Sequence, residues 1–169
     1  MSIITYKGIT PKIHSSVFMA EGSHIIGDVE IDHDSSVWFN CVIRGDVNYI
    51  RIGARTNIQD NSVVHVTHKK FPCLIGSNVT IGHNATIHAC TIQDYSLIGM
   101  GAIVLDNAEI GPYSLVAAGA VVTMNMKVPS GVLAAGIPAK VIRPLTNEEQ
   151  KFLEQSAQNY INYVSTYRE

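Results

Sequence analysis

Aliphatic residues return at every sixth position over most of this chain. Ile13, Met19, Ile25, Ile31, Val37 and Ile43 keep the step, as do Ile52, Ile58 and Val64, then Ile75, Ile81 and Ile87. A last run holds Ile92, Ile98, Val104, Ile110, Val116, Val122 and Val128. Glycine often follows the aliphatic, as in "IGSNVT", "IGHNAT", "IGMGAI" and "IGPYSL", and Ala, Asn, Asp and Ser fill the turns. A period of six matches neither an α-helix nor an ordinary hairpin sheet. It predicts an all-β solenoid, a parallel β-helix whose coils have three short faces, each turning one aliphatic inward. Successive coils then stack through parallel strand hydrogen bonds around a continuous aliphatic column.

The repeat fades after Val128, where "VPSGVLAAGIPAKVIRPL" has turn chemistry and extended residues before its prolines. "TNEEQKFLEQSAQNYINYVSTYRE" opens with a capping box, Thr146 as N-cap and Glu149 three residues on. Phe152, Leu153, Ala157, Tyr160, Ile161 and Val164 form one apolar stripe, so a helix is expected that packs back along the prism or on a neighbour. The expectation is a single domain over 1–169, with the β-helix and its end over about 11–145 and the C-terminal helix over 146–168.

Composition narrows this picture. Hydrophobic residues make up 46% of the chain but aromatics only 7%, so the apolar mass is aliphatic and suits a narrow, tightly stacked core. With 15% charged residues and a net charge of -2, no electrostatic footprint for nucleic acid exists. The longest uncharged stretch, Ile110 to Met126, is broken by Pro112 and too short to span a bilayer, so no membrane role is expected. "MSIITYKGIT" lacks the charged start and apolar run of a secretory signal. Cys41, Cys73 and Cys90 are odd in number and match no zinc-ribbon spacing, which points to a reduced, cytoplasmic setting. Cys90 lies near the histidines, but a small buried filler is the simpler role.

Four of the seven histidines fall between residues 65 and 90. The triplets Ile52, Ile58, Val64 and Ile75, Ile81, Ile87 differ by 23 residues at each position, five more than the 18 of three hexapeptides. The excess lies between Val64 and Ile75, so "VTHKKFPC" is expected as a loop thrown out at a corner. His65 follows Val64 and His88 follows Ile87, which stacks them one coil apart at about 4.8 Å, both pointing outward. Their imidazoles can converge on one ion at about 2.1 Å. His83 sits on the preceding face and diverges from that pair within its own chain, but it can meet a neighbour's pair if the prisms pack with threefold symmetry. Three imidazoles leave a tetrahedral ion one open position, the arrangement of a catalytic zinc. On this reading the site exists only in a trimer. The alternative is a ladder of histidines on a solvated or subunit surface, and that reading stands for His14, His24, His33 and His68.

"VIRGDVNYIRIGARTNIQDNSVVHV", "IGHNATIHACTI", "IGMGAIVLDNAEIG" and "AGIPAKVIR" together resemble the γ-class carbonic anhydrases and their bacterial carbonic-anhydrase-like relatives, over nearly the whole chain. The resemblance implies a left-handed β-helix, a homotrimer, and Zn2+ (or Fe2+ or Co2+) held between subunits by His65 and His88 of one chain and His83 of the next. It implies an intersubunit ion pair of Arg44 with Asp46 beside the metal. It also implies that Gln59 and Asp60 orient a metal-bound water, and that Tyr160 of the helix is an active-site residue, although its place on the apolar stripe suits a packing role as well. The register agrees for Asp60, which lies 23 residues before His83. The implied reaction is reversible hydration of CO2 to bicarbonate by a metal-bound hydroxide.

Two departures bear on that activity. The archetype carries an acidic residue after its "RGD" and an acidic loop after its first histidine for proton removal, whereas here Val47 follows and the loop is basic. His68 on the loop can shuttle protons, or simply be solvated. Other readings therefore stay open: an acyl-CoA thioesterase, a hexapeptide acyltransferase, or a catalytically weak trimeric scaffold subunit, since one fold hosts many chemistries.

Overall fold

Each hexapeptide folds into a strand of two or three residues followed by a corner, and the computed structural model describes this for residues 1–167. Arg168, the end of the expected helix, and Glu169 lie outside the described residues. The parallel ladders place the inward aliphatics in three rows. One runs Ile13, Ile31, Ile52, Ile75, Ile92, Ile110, Val128. A second runs Met19, Val37, Ile58, Ile81, Ile98, Val116. The third runs Ile25, Ile43, Val64, Ile87, Val104, Val122. Ile58, Ile81, Ile98 and Val116 are fully buried, and each such side chain contributes about 1.5–3 kcal/mol of hydrophobic stabilisation.

The corners explain the polar half of the pattern. Asp34, Asn40, Asn61, Asn78, Asn84, Asn107 and Asn125 all adopt positive φ, a conformation that Asn and Asp tolerate better than most residues. Two longer strands, His24–Ile31 and Val42–Ile52, run round a corner and serve two faces each, with a shift in their ladder between Gly27 and Val29. At that bend a Cβ on Gly45 would lie 2.5 Å from the Asp28 carbonyl oxygen, so only glycine lets the "RGD" corner close on the coil beneath it.

The interrupted coil behaves as the spacing predicts. Val64 pairs with Ile87 and Ile52 with Ile75, so the extra residues are expelled as a loop between Val63–His65 and Cys73–Ile75. The prism continues beyond Val128: Ala134, in the strand Val132–Gly136, pairs with Val116, and Ala139–Pro144 returns antiparallel to it. Alanine replaces the branched aliphatic there, which hid the final step of the repeat.

Helix α1 (Asn147–Thr166) starts with the expected capping box of Thr146 and Glu149. It buries Leu153, Ser156, Ala157 and Val164 and packs on the strands Ser36–Val37 and Thr80–Ile81. The stripe is narrower than the sequence suggested, because Phe152 is 55% exposed. Among the described residues no helix is long and apolar enough to cross a membrane.

Candidate metal centre

The candidate residues divide between two corners of the prism. At the first, His88 pairs with His65 on adjacent coils. His65 Nδ1 lies 3.2 Å from His88 Nε2. Each ring turns its other nitrogen to a carboxylate: His65 Nε2 donates to Asp46 Oδ1 at 3.1 Å, and His88 Nδ1 donates to Asp106 Oδ1. Arg44 Nη1 donates to the other Asp46 oxygen at 2.5 Å.

Electrostatics fix the protons here. Burial works to raise Asp46, but hydrogen bonds from Arg44 and His65 outweigh it and hold the carboxyl below its ordinary value. Asp106 is likewise raised by burial and more strongly lowered by Thr67 and His88. Both are therefore ionised at neutral pH and can only accept, so each imidazole carries its proton on the carboxylate side. Burial, helped by the charges of Arg44 and His88, holds His65 below the ordinary imidazole value against the pull of Asp46. When both rings are neutral, these tautomers leave His65 Nδ1 and His88 Nε2, 3.2 Å apart, without protons. Two ligands of a tetrahedral zinc, each at about 2.1 Å, stand at about this separation. The carboxylate behind each ring is the usual support for a metal-bound histidine. The donor set fits a divalent cation.

His83 stands at the second corner. Its Nδ1 lies 2.7 Å from Asp60 Oδ2, while the Phe39 amide donates to Asp60 Oδ1 at 3.3 Å. The side chain is 40% exposed and leaves Nε2 free of this pairing. Gln59 is buried beside Asp60, and its amide donates to Asn57 Oδ1 at 3.1 Å. Asn57 in turn donates to Thr80 Oγ1, which shares a hydrogen bond with Ser156 of α1, so the helix is tied to the Gln59 side chain. Tyr160 packs edge-on against Trp38 with centroids 5.3 Å apart. Its hydroxyl is pushed up to about 12 by burial and by the charge of Asp60. Within one chain, then, Arg44, Asp46, His65 and His88 come together, and Gln59, Asp60, His83 and Tyr160 come together separately. No group of three or more His, Cys, Asp or Glu poised around one ion exists among the described residues.

Asp106 and Thr67 were missed by sequence reasoning. The Thr67 hydroxyl donates to Asp106 Oδ2 at 2.5 Å. Asp106 lies in the turn directly above His88, where the Asn107 amide donates to the Ala89 carbonyl at 2.8 Å, but the coil between them is one residue short of three hexapeptides, so counting along the repeat does not find it. Cys90 is buried in the prism interior with Cys73, as a filler should be.

The family pattern described as bacterial transferase hexapeptide (six repeats) matches residues 89–123. The chain is 49% identical over 158 residues to γ carbonic anhydrase 2, mitochondrial, of Arabidopsis thaliana, covering 90% of this chain and 57% of that protein. It thus spans little more than half the length of that plant relative. To a carbonic anhydrase of Geobacillus kaustophilus it is 46% identical over 166 residues, 98% of this chain and 91% of the other. A solved structure of a hexapeptide transferase family protein from Anaplasma phagocytophilum superposes with a TM-score of 0.93 at 44% identity, covering 98% and 97% of the two chains.

Proposed function

The chain belongs to the γ-class carbonic anhydrase family, and on that premise we propose that it is a metal-dependent hydro-lyase that interconverts CO2 and bicarbonate. The observation that carries this reading is the pair of imidazole nitrogens, His65 Nδ1 and His88 Nε2, facing each other at 3.2 Å with carboxylates behind both rings. A homotrimer brings His83 of a neighbouring copy to this pair and completes a three-imidazole site for Zn2+, with Fe2+ or Co2+ as other occupants. A divalent ion so held supplies Lewis acidity that lowers the pKa of coordinated water to about 7.

The chain's own residues do the rest. Asp46 and Asp106 hold the two rings in the tautomer that presents bare nitrogens, and Arg44 offsets the Asp46 charge. Asp60 does the same for His83, and Gln59, fixed by Asn57, orients the reacting oxygen from the neighbour's side of the interface. Tyr160, neutral below about 12, serves as a hydrogen-bond donor and not as a base. Val47 packs against the core, so no acidic relay stands in its place, and proton removal limits the rate. The three free, buried thiols support a reducing, cytoplasmic setting.

The test is metal content per chain in the wild type and in His83→Ala, followed by stopped-flow CO2 hydration. About one ion per chain, lost in His83→Ala, with turnover above a free-metal control, supports the reading. Full metal without hydration turns the assignment to acyl-CoA chemistry or a scaffold role. The transferase name of the Anaplasma relative makes an acyl-CoA panel the next assay. An intact trimer without metal overturns the site.

A further inference from the structure

We propose that Asp106 is a positioning residue that couples the loop after His65 to the histidine pair, with Thr67 as the latch; this rests on the metal reading above. Asp106 divides its two oxygens between His88 Nδ1 and the Thr67 hydroxyl. A carboxylate is rigid and planar, so it cannot turn toward one partner without leaving the other. Only 19% of its side chain is exposed, so neither bond is readily replaced by water.

Thr67 is the point where the loop is fastened. Its amide donates to the Phe71 carbonyl at 3.1 Å, and its carbonyl accepts from Lys70 N at 3.3 Å and from Asn48 Nδ2 at 3.1 Å. Lys69 N donates to the Val47 carbonyl at 3.2 Å. Val47 and Asn48 directly follow Asp46, the residue that holds His65. The loop therefore bridges the two carboxylate supports, touching the chain beside Asp46 on one side and Asp106 itself on the other. When the loop lifts, Asp106 loses a charge-assisted hydrogen bond and His88 loses a fixed orientation. By linkage, an ion that immobilises the His88 ring also holds Asp106 toward Thr67 and closes the loop.

The experiment uses the full chain with Zn2+ as probe and two readouts: Zn2+ affinity by competition with a chromophoric chelator, and the rate of tryptic cleavage at the exposed Lys69 and Lys70, with and without Zn2+. In the wild type Zn2+ slows cleavage in the loop. Thr67→Val keeps every histidine yet weakens Zn2+ binding about 10-fold, speeds cleavage, and makes it insensitive to Zn2+. Thr67→Ser restores both readouts. Asp106→Asn weakens Zn2+ binding at least as much as Thr67→Val. If Thr67→Val binds Zn2+ as tightly as the wild type and remains protected by it, the coupling is overturned while the metal site stands. If the wild type takes up no Zn2+, the metal reading fails and the coupling fails with it.

Discussion

His83 Nδ1 and Asp60 Oδ2 lie 2.7 Å apart on adjacent coils, at a different corner from the His65 and His88 pair. A carboxylate that accepts from one imidazole nitrogen makes the other more basic and fixes where it points. Asp60→Asn keeps the shape and removes the charge. On the proposed metal reading, Zn2+ affinity is expected to fall about 10–100-fold with the size of the assembly unchanged in solution scattering. Unaltered affinity would remove Asp60 from the site.

The aliphatic rows make a separate prediction about stability. Ile98→Ala empties a fully buried position with stacked neighbours above and below, and should cost about 2–5 kcal/mol in denaturant unfolding. Phe152→Ala, at a residue 55% exposed, should change stability by no more than about 0.5 kcal/mol. A larger loss at Phe152 would mean that α1 buries a wider face than the structure shows.

The start of α1 responds to acid. Glu149 accepts from both Arg143 Nη atoms at 2.7 Å and from the Thr146 amide at 2.9 Å. Arg143 first, then the Thr146 amide, lowers its pKa from the ordinary 4.5 to about 2. A carboxyl with a depressed folded pKa stabilises above its unfolded value and loses that contribution as pH falls through the folded one. The melting-temperature gap between wild type and Glu149→Gln should be full at pH 7 and shrink from 4.5 toward 2. A gap that stays constant with pH would contradict the assignment.

Cysteine reactivity offers a test of the interior. Burial pushes the Cys41 thiol up to about 11, and a hydrogen bond with Cys73 together with burial raises Cys90. The thiolate is the reactive form, so an aromatic disulfide reagent at pH 8 should label none of the three in the native protein and all three after denaturation. Rapid native labelling would show that the prism opens.

The backbone register of this protein was legible by counting. Ile52 with Ile75 and Val64 with Ile87 are spaced by the repeat itself, and that alone predicts the stacking of His65 on His88. Ala134 escaped because alanine carries no periodic signal even where it closes the second row of the core. Asp106 escaped for a different reason. Thr86 pairs with Ile103, so that coil is one residue short of three hexapeptides, and "LDNAE" reads as an ordinary polar corner. Only the side-chain geometry shows its carboxylate reaching His88 and Thr67. Periodicity specifies which residues are neighbours along a ladder, but not which side chains meet across a turn.

The loop between His65 and Cys73 leaves and rejoins the prism at one corner, with the parallel ladder intact on both sides. The spacing of His65 and His88 is therefore set by the rise of the ladder and is independent of how many residues intervene. Loop closure costs grow only slowly with length, so this segment is the part of the protein where insertions, deletions and new side chains can accumulate while His65 and His88 keep their separation. On the proposed reading, proton relay, substrate access and specificity can change there at little cost to the fold, and differences between relatives that share the histidine pair should concentrate in that short stretch.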